Sequence, residues 1–194
     1  FGHPILRAIA ATTATSNLFS SMIVATEVVF LVRVVHLAPG LIGLVLAAGG
    51  AGGVAAALAA GAIALRIGGA RATLAGIGAT AGGLLLPLAA PGARTAFFAG
   101  GLVLLGFGSV LYNVNQVSFR QRLCPPALLG RMNATMRFVV WGVMPIGAVV
   151  GGSIASAIGL RPTLWLAAAG QTLAIGWLLA SPLRRTRDYP TVAP

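Results

Sequence analysis

Six long apolar runs, separated by short segments that contain arginine, glycine or proline, constrain the fold of this chain more than any other feature. A run of about 20 apolar residues is long enough to cross a bilayer once as a helix. Helices are expected because a backbone in lipid must satisfy its own hydrogen bonds. The chain is therefore predicted to be an all-α membrane protein, with a six-helix transmembrane bundle over residues 1–183 and a polar tail over 184–194. The predicted helices cover residues 7–33, 41–65, 73–90, 95–119, 132–158 and 163–183.

Composition excludes several classes of function. Charged residues make up 8% of the chain, whereas soluble domains carry roughly 25%. The chain lacks lysine, so a phosphate-binding loop ending in Lys-Ser or Lys-Thr is absent, and no Gly-x-Ser-x-Gly elbow of a serine hydrolase occurs. Cys124 is the only cysteine, and no acid or cysteine accompanies His3 or His36. We therefore expect no enzyme activity, no catalytic residue, no cofactor and no metal site.

The positions of the arginines predict the orientation of the bundle. The net charge of +11 would suggest nucleic acid on a soluble protein, but all 13 basic residues are arginines near the ends of apolar runs. One predicted side receives Arg7, Arg66, Arg71, Arg120, Arg122, Arg131, Arg137, Arg184, Arg185 and Arg187, and the other receives Arg33, Arg94 and Arg161. Cytoplasmic segments are enriched in arginine. We expect a multi-pass protein of the cell (plasma or inner) membrane with both termini cytoplasmic, and no nucleic-acid partner.

Polar side chains are concentrated in the first and fourth predicted helices, whereas the second has none between residues 41 and 65. Polar groups in hydrocarbon cost free energy, so these two helices are expected to face a protein interior or a water-filled cavity. Helical spacing places Thr13, Asn17, Ser20 and Glu27 on one stripe, and Ser109, Tyr112, Asn113 and Gln116 on another. The two stripes predict a substrate pathway that includes Asn17, Ser20, Glu27, Tyr112, Asn113 and Gln116.

Three further side chains have two interpretations each. Glu27 is the only acid inside a predicted span and is either a proton-coupling or cation-recognising group or an interfacial carboxylate paired with Arg33 or Arg94. Arg137 either extends to the cytoplasmic headgroups or contacts an anionic substrate or a gate carbonyl. Trp141, one turn further, either stacks on a flat substrate or anchors the packing. We add Arg137 and Trp141 to the predicted pathway.

The connection between the second and third helices carries a recognisable pattern. Residues 61–71, Gly-Ala-Ile-Ala-Leu-Arg-Ile-Gly-Gly-Ala-Arg, resemble the cytoplasmic loop signature of the major facilitator superfamily, Gly-x-x-x-Asp-Arg-x-Gly-Arg-Arg/Lys. Gly61, Arg66 and Gly68 match, and Leu65 stands where the aspartate is expected. The resemblance implies a cytoplasmic gate loop formed by Gly61, Arg66, Gly68 and Arg71.

Residues 113–135 are similar to the connection between helices ten and eleven in the enterobactin-exporter and macrolide-efflux-like branch of that superfamily. This resemblance implies the C-terminal half, helices seven to twelve, of a twelve-helix transporter that works by alternating access. Helices seven and ten of that fold line the central cavity and correspond to the first and fourth helices here. The implied partners are the bilayer, an N-terminal six-helix half in the same or a partner chain, and a small-molecule substrate.

The resemblance further implies secondary active efflux of a small amphipathic, drug-like or siderophore-like molecule, coupled to proton entry as in an antiporter. One alternative is a small-solute importer on the same fold, because fold does not determine direction or substrate. The other is a non-transporting membrane scaffold or secretion partner, in which the polar stripes only satisfy one another.

Overall fold

The apolar runs fold as helices throughout the described part of the chain. The structure is a computed structural model that describes residues 4–123 and 129–188. The helices are α1 (Pro4–Arg33), α2 (Pro39–Ile67), α3 (Gly69–Ala79), α4 (Thr95–Leu123), α5 (Leu129–Ile158), α6 (Leu160–Leu173) and α7 (Ile175–Leu179). A 3-10 segment, Thr80–Leu88, continues α3, and α6 and α7 together form the last span. Within the described residues six spans are long and apolar enough to cross a membrane, which confirms the predicted fold class.

The third span differs most from its prediction of residues 73–90. Its helix begins at Gly69, because Gly68 (φ 92°) turns the chain between α2 and α3 by itself. Only glycine adopts this backbone conformation without strain. The second half of the span is a 3-10 helix that contains Pro87. Proline has no N–H to donate and its ring clashes with the carbonyl four residues earlier, which disfavours a continued α-helix.

The first turn between helices explains why α1 ends at Arg33. His36 lies in the left-handed region (φ 57°), and Leu37 N donates to Leu31 O at 3.0 Å. This bond satisfies one of the last four carbonyls of the helix, which lack a partner within the helix itself. Pro39 then begins α2 at the position where its missing N–H costs nothing.

Glycines allow the helices to approach closely. α1 packs against α5 and α6, α2 against α4, and α4 against α3 and the 3-10 segment. A methyl group at Gly52 of α2 would overlap the Val103 carbonyl of α4, and one at Gly147 of α5 would overlap the Leu18 carbonyl of α1. Contacts of this kind are typical of membrane helices, whose association depends on van der Waals packing.

The bundle is apolar on its outside as well as in its core. Leu58, Leu65 and Phe138 are more than four-fifths exposed. Such faces suit a hydrocarbon environment, in which association between helices gains little from apolar burial. Inside the bundle, one cluster of buried apolar side chains surrounds Phe30, and a second surrounds Ile9 near the start of α1.

Three predicted segments reach beyond the described residues, and the first is positions 1–3 of the predicted bundle, which include His3. Positions 124–128 of the predicted connection between the fourth and fifth helices lie outside them, and so do positions 189–194 of the predicted tail. The described part of the tail begins with a 3-10 turn, Pro182–Arg185, which Ser181 caps by accepting a hydrogen bond from Leu183 N.

Candidate functional site

A cavity of about 360 Å³ lies between α1, α3, α4 and α5. Its walls come from the first half of α1, the second half of α4 and the first half of α5. These parts of the helices lie toward the end of the bundle where α1 begins and α2 ends, called here the arginine-rich end because Arg7, Arg66 and Arg71 lie there. The lining residues are Thr13, Ser16, Asn17, Ile77, Thr80, Ser109, Tyr112, Asn113, Gln116, Arg120, Asn133, Arg137, Val140, Trp141 and Met144.

A cluster of three oxygens joins α1 to α4 at the cavity wall. Thr13 Oγ1 and Tyr112 Oη lie 2.7 Å apart, and each also lies within hydrogen-bond distance of the Ile9 carbonyl, at 2.7 and 3.2 Å. Two hydroxyl protons are therefore shared among three oxygens. Such a cluster positions Tyr112, which is buried, and satisfies polar groups that would otherwise be costly at this depth.

The cavity ends where α1 and α5 meet. Asn17 Nδ2 donates to the Val140 carbonyl at 3.1 Å, so a predicted pathway residue bridges the two helices. Beyond this bond, Gly147 lies against Leu18, and Gly151 lies against Met22 at less than van der Waals distance for a methyl group. The two helices are thus in close contact toward the end that carries Arg33 and are separated by the cavity toward the arginine-rich end.

Gln116 lines the cavity and has a buried polar atom without a hydrogen-bond partner among the described residues. The residue is 4% exposed, and its Nε2 donates to Asn113 Oδ1 at 3.0 Å. Its Oε1 is buried and has no hydrogen-bond partner among the described residues. Arg120, one turn further along α4, also has a buried Nε without a partner in the described part of the chain. An unsatisfied buried polar atom costs free energy, so a partner that enters the cavity is favoured at both positions.

Arg137 and Trp141 form the opposite wall on α5. The Arg137 Cζ lies 5.2 Å from the centroid of the Trp141 ring, within the range of a cation–π contact. Both side chains are exposed, and more than half of the surface of Trp141 is accessible. The Arg137 guanidinium and the Trp141 indole therefore lie together on the α5 side of the cavity.

Of the eight predicted pathway residues, two do not line the cavity. Ser20 and Glu27 lie on the same helix as Asn17 but further from the arginine-rich end. Glu27 is ten residues beyond Asn17, which is about 15 Å along an α-helix. The contact of α1 with Gly147 and Gly151 lies between them. The sequence stripe continues past this contact, but the cavity does not.

Arg120 on α4 and Asn133 on α5 line the cavity but are not in the predicted pathway. Their spacing from predicted pathway residues could have identified them. Arg120 is four residues after Gln116, and Asn133 is four residues before Arg137. Residues four apart share one face of a helix. The sequence predicts that the fourth helix ends at residue 119 and that Arg120 lies in the following connection, whereas α4 extends to Leu123.

The predicted gate-loop residues lie together at the arginine-rich end. Arg66 is in the last turn of α2, Gly68 forms the turn, and Arg71 is in the first turn of α3. Gly61 lies two turns earlier on α2, and a methyl group there would meet no atom within 4 Å. None of the four lines the cavity described above.

The chain segment after α7 contacts this loop and supplies a carboxylate to it. Asp188 Oδ1 accepts a hydrogen bond from Gly69 N at 3.0 Å, and the Arg187 carbonyl accepts one from Arg71 N at 3.4 Å. An acidic group is favourable at a helix N-terminus, where the backbone N–H groups are unpaired. Asp188 thus provides the loop with an acid although Leu65 occupies the position of the signature aspartate.

The arrangement of six spans around a polar cavity can be compared with known proteins. Residues 9–193 match the Major Facilitator Superfamily. The chain belongs to this superfamily. No curated protein and no solved structure matches the chain.

Membership in the Major Facilitator Superfamily makes this chain a multi-pass membrane protein of a transporter family. A transporter needs a site that binds its substrate and no group that reacts with it, so the family favours a non-enzymatic function. Among the described residues, no three His, Cys, Asp or Glu side chains lie together in a way that would hold a metal ion.

Proposed function

We propose that this chain is the C-terminal half of a secondary active transporter that exports a small amphipathic molecule by alternating access. The observation that carries the proposal is the cavity of about 360 Å³, which has polar walls from α1 and α4 and an indole on α5. A mixture of apolar surface and a few placed polar groups is typical of small-molecule sites. The outward direction rests on the resemblance of residues 113–135 to the efflux branch.

Alternating access requires a second bundle. In this fold family a substrate site lies between two six-helix halves, and transport is a rocking movement of one half against the other. The cavity here is bounded by α1, α3, α4 and α5 of one such bundle. We propose that an N-terminal six-helix half, in the same polypeptide or a partner, completes the site. On this proposal both termini are cytoplasmic, in the plasma or inner membrane, and the arginine-rich end faces the cytoplasm.

The unpaired acceptor of Gln116 offers a direct test of the cavity as a transport site. We expect Gln116→Ala to lower the transport of a fluorescent dye about tenfold, because the loss of one good hydrogen bond to a ligand has an effect of this size. We expect little change in thermal stability. The transporter, assembled from both halves in inside-out vesicles, would be assayed with ethidium and fluorescein under a proton gradient. Asn115→Ala is the matched control, because Asn115 is equally buried, does not line the cavity and donates to Leu111 O at 2.8 Å.

The same assay separates the alternative functions. An exporter accumulates dye in inside-out vesicles, whereas an importer accumulates it in right-side-out vesicles. A scaffold transports dye in neither orientation, and Gln116→Ala then changes only stability or assembly. Equal transport by the Gln116→Ala and Asn115→Ala variants would contradict the assignment of the cavity as the substrate site.

Proton coupling is proposed for Glu27. It is the only acid within the spans, it is half-buried, and no salt bridge joins it to Arg33 or Arg94 within the described residues. An ionisable side chain at membrane depth is costly unless it is paired, protonated or near water. The absence of the expected interfacial ion pair therefore favours the functional interpretation of Glu27.

A further inference from the structure

The cavity carries positive charge and no negative charge from this bundle. Arg120 and Arg137 both line it, and none of its described lining residues is acidic. The sequence contains only two acids. Glu27 lies beyond the contact of α1 with α5, and Asp188 is bonded to Gly69 N at the loop. Two guanidinium groups are thus left without a carboxylate partner in the described part of the chain.

Arginine at such a site is suited to acidic groups. The guanidinium group is planar, remains charged and presents a fork of donors that matches a carboxylate or phosphate. The buried Arg120 Nε has no hydrogen-bond partner among the described residues, so one donor of that fork is unpaired. Charge-assisted bonds from arginine to an anion are about twice as strong as neutral hydrogen bonds.

Two neighbouring groups restrict the anion further. The accessible Trp141 ring offers a flat apolar surface beside Arg137. Aromatic rings pair with one another in stacked or edge-to-face arrangements. On α4, the buried Gln116 Oε1 accepts hydrogen bonds and has no donor facing it in the described residues. A ligand hydroxyl would supply that donor.

We propose that the cavity binds a planar organic anion, an aromatic carboxylic acid that carries a hydroxyl group. The carboxylate is attracted to Arg120 and Arg137, the ring lies against Trp141, and the hydroxyl donates to Gln116 Oε1. This inference rests on the proposed function, because it names the substrate class of the same cavity. It replaces a general amphipathic substrate with one selected by charge.

The proposal is tested by binding of four related compounds to the assembled transporter in phosphatidylcholine nanodiscs. The compounds are 4-hydroxybenzoate, its neutral amide 4-hydroxybenzamide, the cation 4-hydroxybenzylamine, and benzoate, which lacks the hydroxyl. Binding is followed by calorimetry and by quenching of tryptophan fluorescence, and the part of the quenching that Trp141→Phe removes reports on this cavity. We expect 4-hydroxybenzoate to bind at least about tenfold more tightly than the amide and the amine. We expect benzoate to be intermediate.

Arginine variants identify the groups responsible. Arg120→Gln and Arg137→Gln should each lower the affinity for 4-hydroxybenzoate about tenfold while changing the affinity for the amide little. Arg94→Gln is the control, because Arg94 is exposed and does not line the cavity. If an arginine variant does not fold, the proposal is still tested by comparing the affinities of 4-hydroxybenzoate and 4-hydroxybenzamide for the unchanged protein.

The outcomes distinguish this proposal from the proposed function. If the amide or the amine binds as tightly as the acid and quenches Trp141, the cavity remains a substrate site and the assignment to anions is overturned. If no compound of any charge perturbs Trp141, the substrate cavity itself is contradicted.

Anionic headgroups are the other source of negative charge, so binding is repeated with phosphatidylglycerol. These measurements are made at high salt, which screens the surface potential of the anionic bilayer. A loss of 4-hydroxybenzoate affinity there would assign the arginines to lipid and overturn the proposal, and unchanged affinity supports it.

Discussion

Arg161 shows how one side chain can join three segments of the bundle. Its guanidinium donates to the Pro87 carbonyl at 2.7 Å and to the Ala89 carbonyl at 2.8 Å. It also lies 5.5 Å from the centroid of the Phe30 ring, which stacks on Phe98. The carbonyls at the end of the 3-10 segment have few backbone donors left, since helix ends leave such groups unpaired. Arg161 therefore fastens the start of α6 to the third span and to α1.

We expect Arg161→Lys to destabilise the protein by about 1 to 2 kcal/mol, because an ammonium group cannot reproduce a fork of two bonds to two carbonyls. Thermal unfolding in detergent, or unfolding by a denaturing detergent, measures the effect. Arg94→Lys serves as the control, since Arg94 is on the same predicted side and is exposed. A stability loss in both variants, or in neither, would contradict the structural role of the fork.

At the residue scale, residues of both predicted polar stripes lie on the cavity wall, and their role as a substrate pathway stays a prediction. Asn17, Tyr112, Asn113 and Gln116 line the cavity as the two stripes required. The sequence could not show where the cavity ends along α1, because that depends on the meeting of α1 and α5 at Gly147. The four-residue spacing of Gly147 and Gly151 indicates close packing of α5 but does not name α1 as its partner.

At the scale of the element, the glycines of α2 differ in how closely they pack against α4. The row Gly49, Gly53, Ala57 and Gly61 on α2 is recognisable from its four-residue spacing, but Gly61 meets no atom of another helix. Gly49 and Gly53 of that row do lie against α4, because a methyl group at Gly106 of α4 would overlap the Gly49 carbonyl oxygen and lie 3.2 Å from Gly53 N. Gly52, which is outside the row, packs equally closely against Val103. The four-residue spacing therefore marks part of the contacting face, and the position of α4 determines which members of the row take part in the contact.

We expect Gly52→Ala to lower the stability of the bundle by about 1 to 3 kcal/mol, as other overpacked sites do. The new methyl group would overlap the Val103 carbonyl oxygen and lie 2.9 Å from the carbonyl carbon. Backbone cannot move aside as a side chain does, so α2 and α4 would have to separate. Unfolding in detergent, read through helix content, measures the change.

Gly50→Ala on the same helix is the matched control, because no atom lies within 4 Å of the added methyl group. Alanine favours a helix over glycine by about 0.5 to 1 kcal/mol, so this variant should be as stable as the parent or more so. If Gly52→Ala were stabilising to the same degree, the close contact between α2 and α4 would be refuted.

The third span contains a change of helix type that its sequence pattern does not predict. Its apolar run predicted a helix correctly, but the run does not indicate that the helix narrows to 3-10 geometry over Thr80–Leu88. Pro87 was a visible signal of an interruption. The side chain of Thr80 adds a second cause, because its hydroxyl donates to the Ile77 carbonyl at 2.6 Å and competes with backbone donors.

At the scale of the whole molecule, the cavity and Glu27 lie on opposite sides of the contact between α1 and α5. The cavity is on the side of the arginine-rich end, and Glu27 is about 15 Å beyond Asn17, toward Arg33. A substrate in the cavity therefore does not touch Glu27 in this conformation. Coupling between the two would act through a change of conformation, since a ligand shifts an equilibrium only by binding its two states differently.

We expect Glu27→Gln to abolish accumulation driven by a proton gradient while leaving gradient-independent exchange of substrate across the membrane intact. Glutamine preserves the shape of the side chain but cannot exchange a proton, so only the coupled process should fail. Vesicles loaded with labelled substrate measure exchange without a gradient, and energised vesicles measure accumulation. Asp188→Asn is the control, because it neutralises the other acid of the chain outside the spans. Accumulation by Glu27→Gln at the parental rate would remove Glu27 from the coupling mechanism, and loss of both processes would assign it a structural role instead.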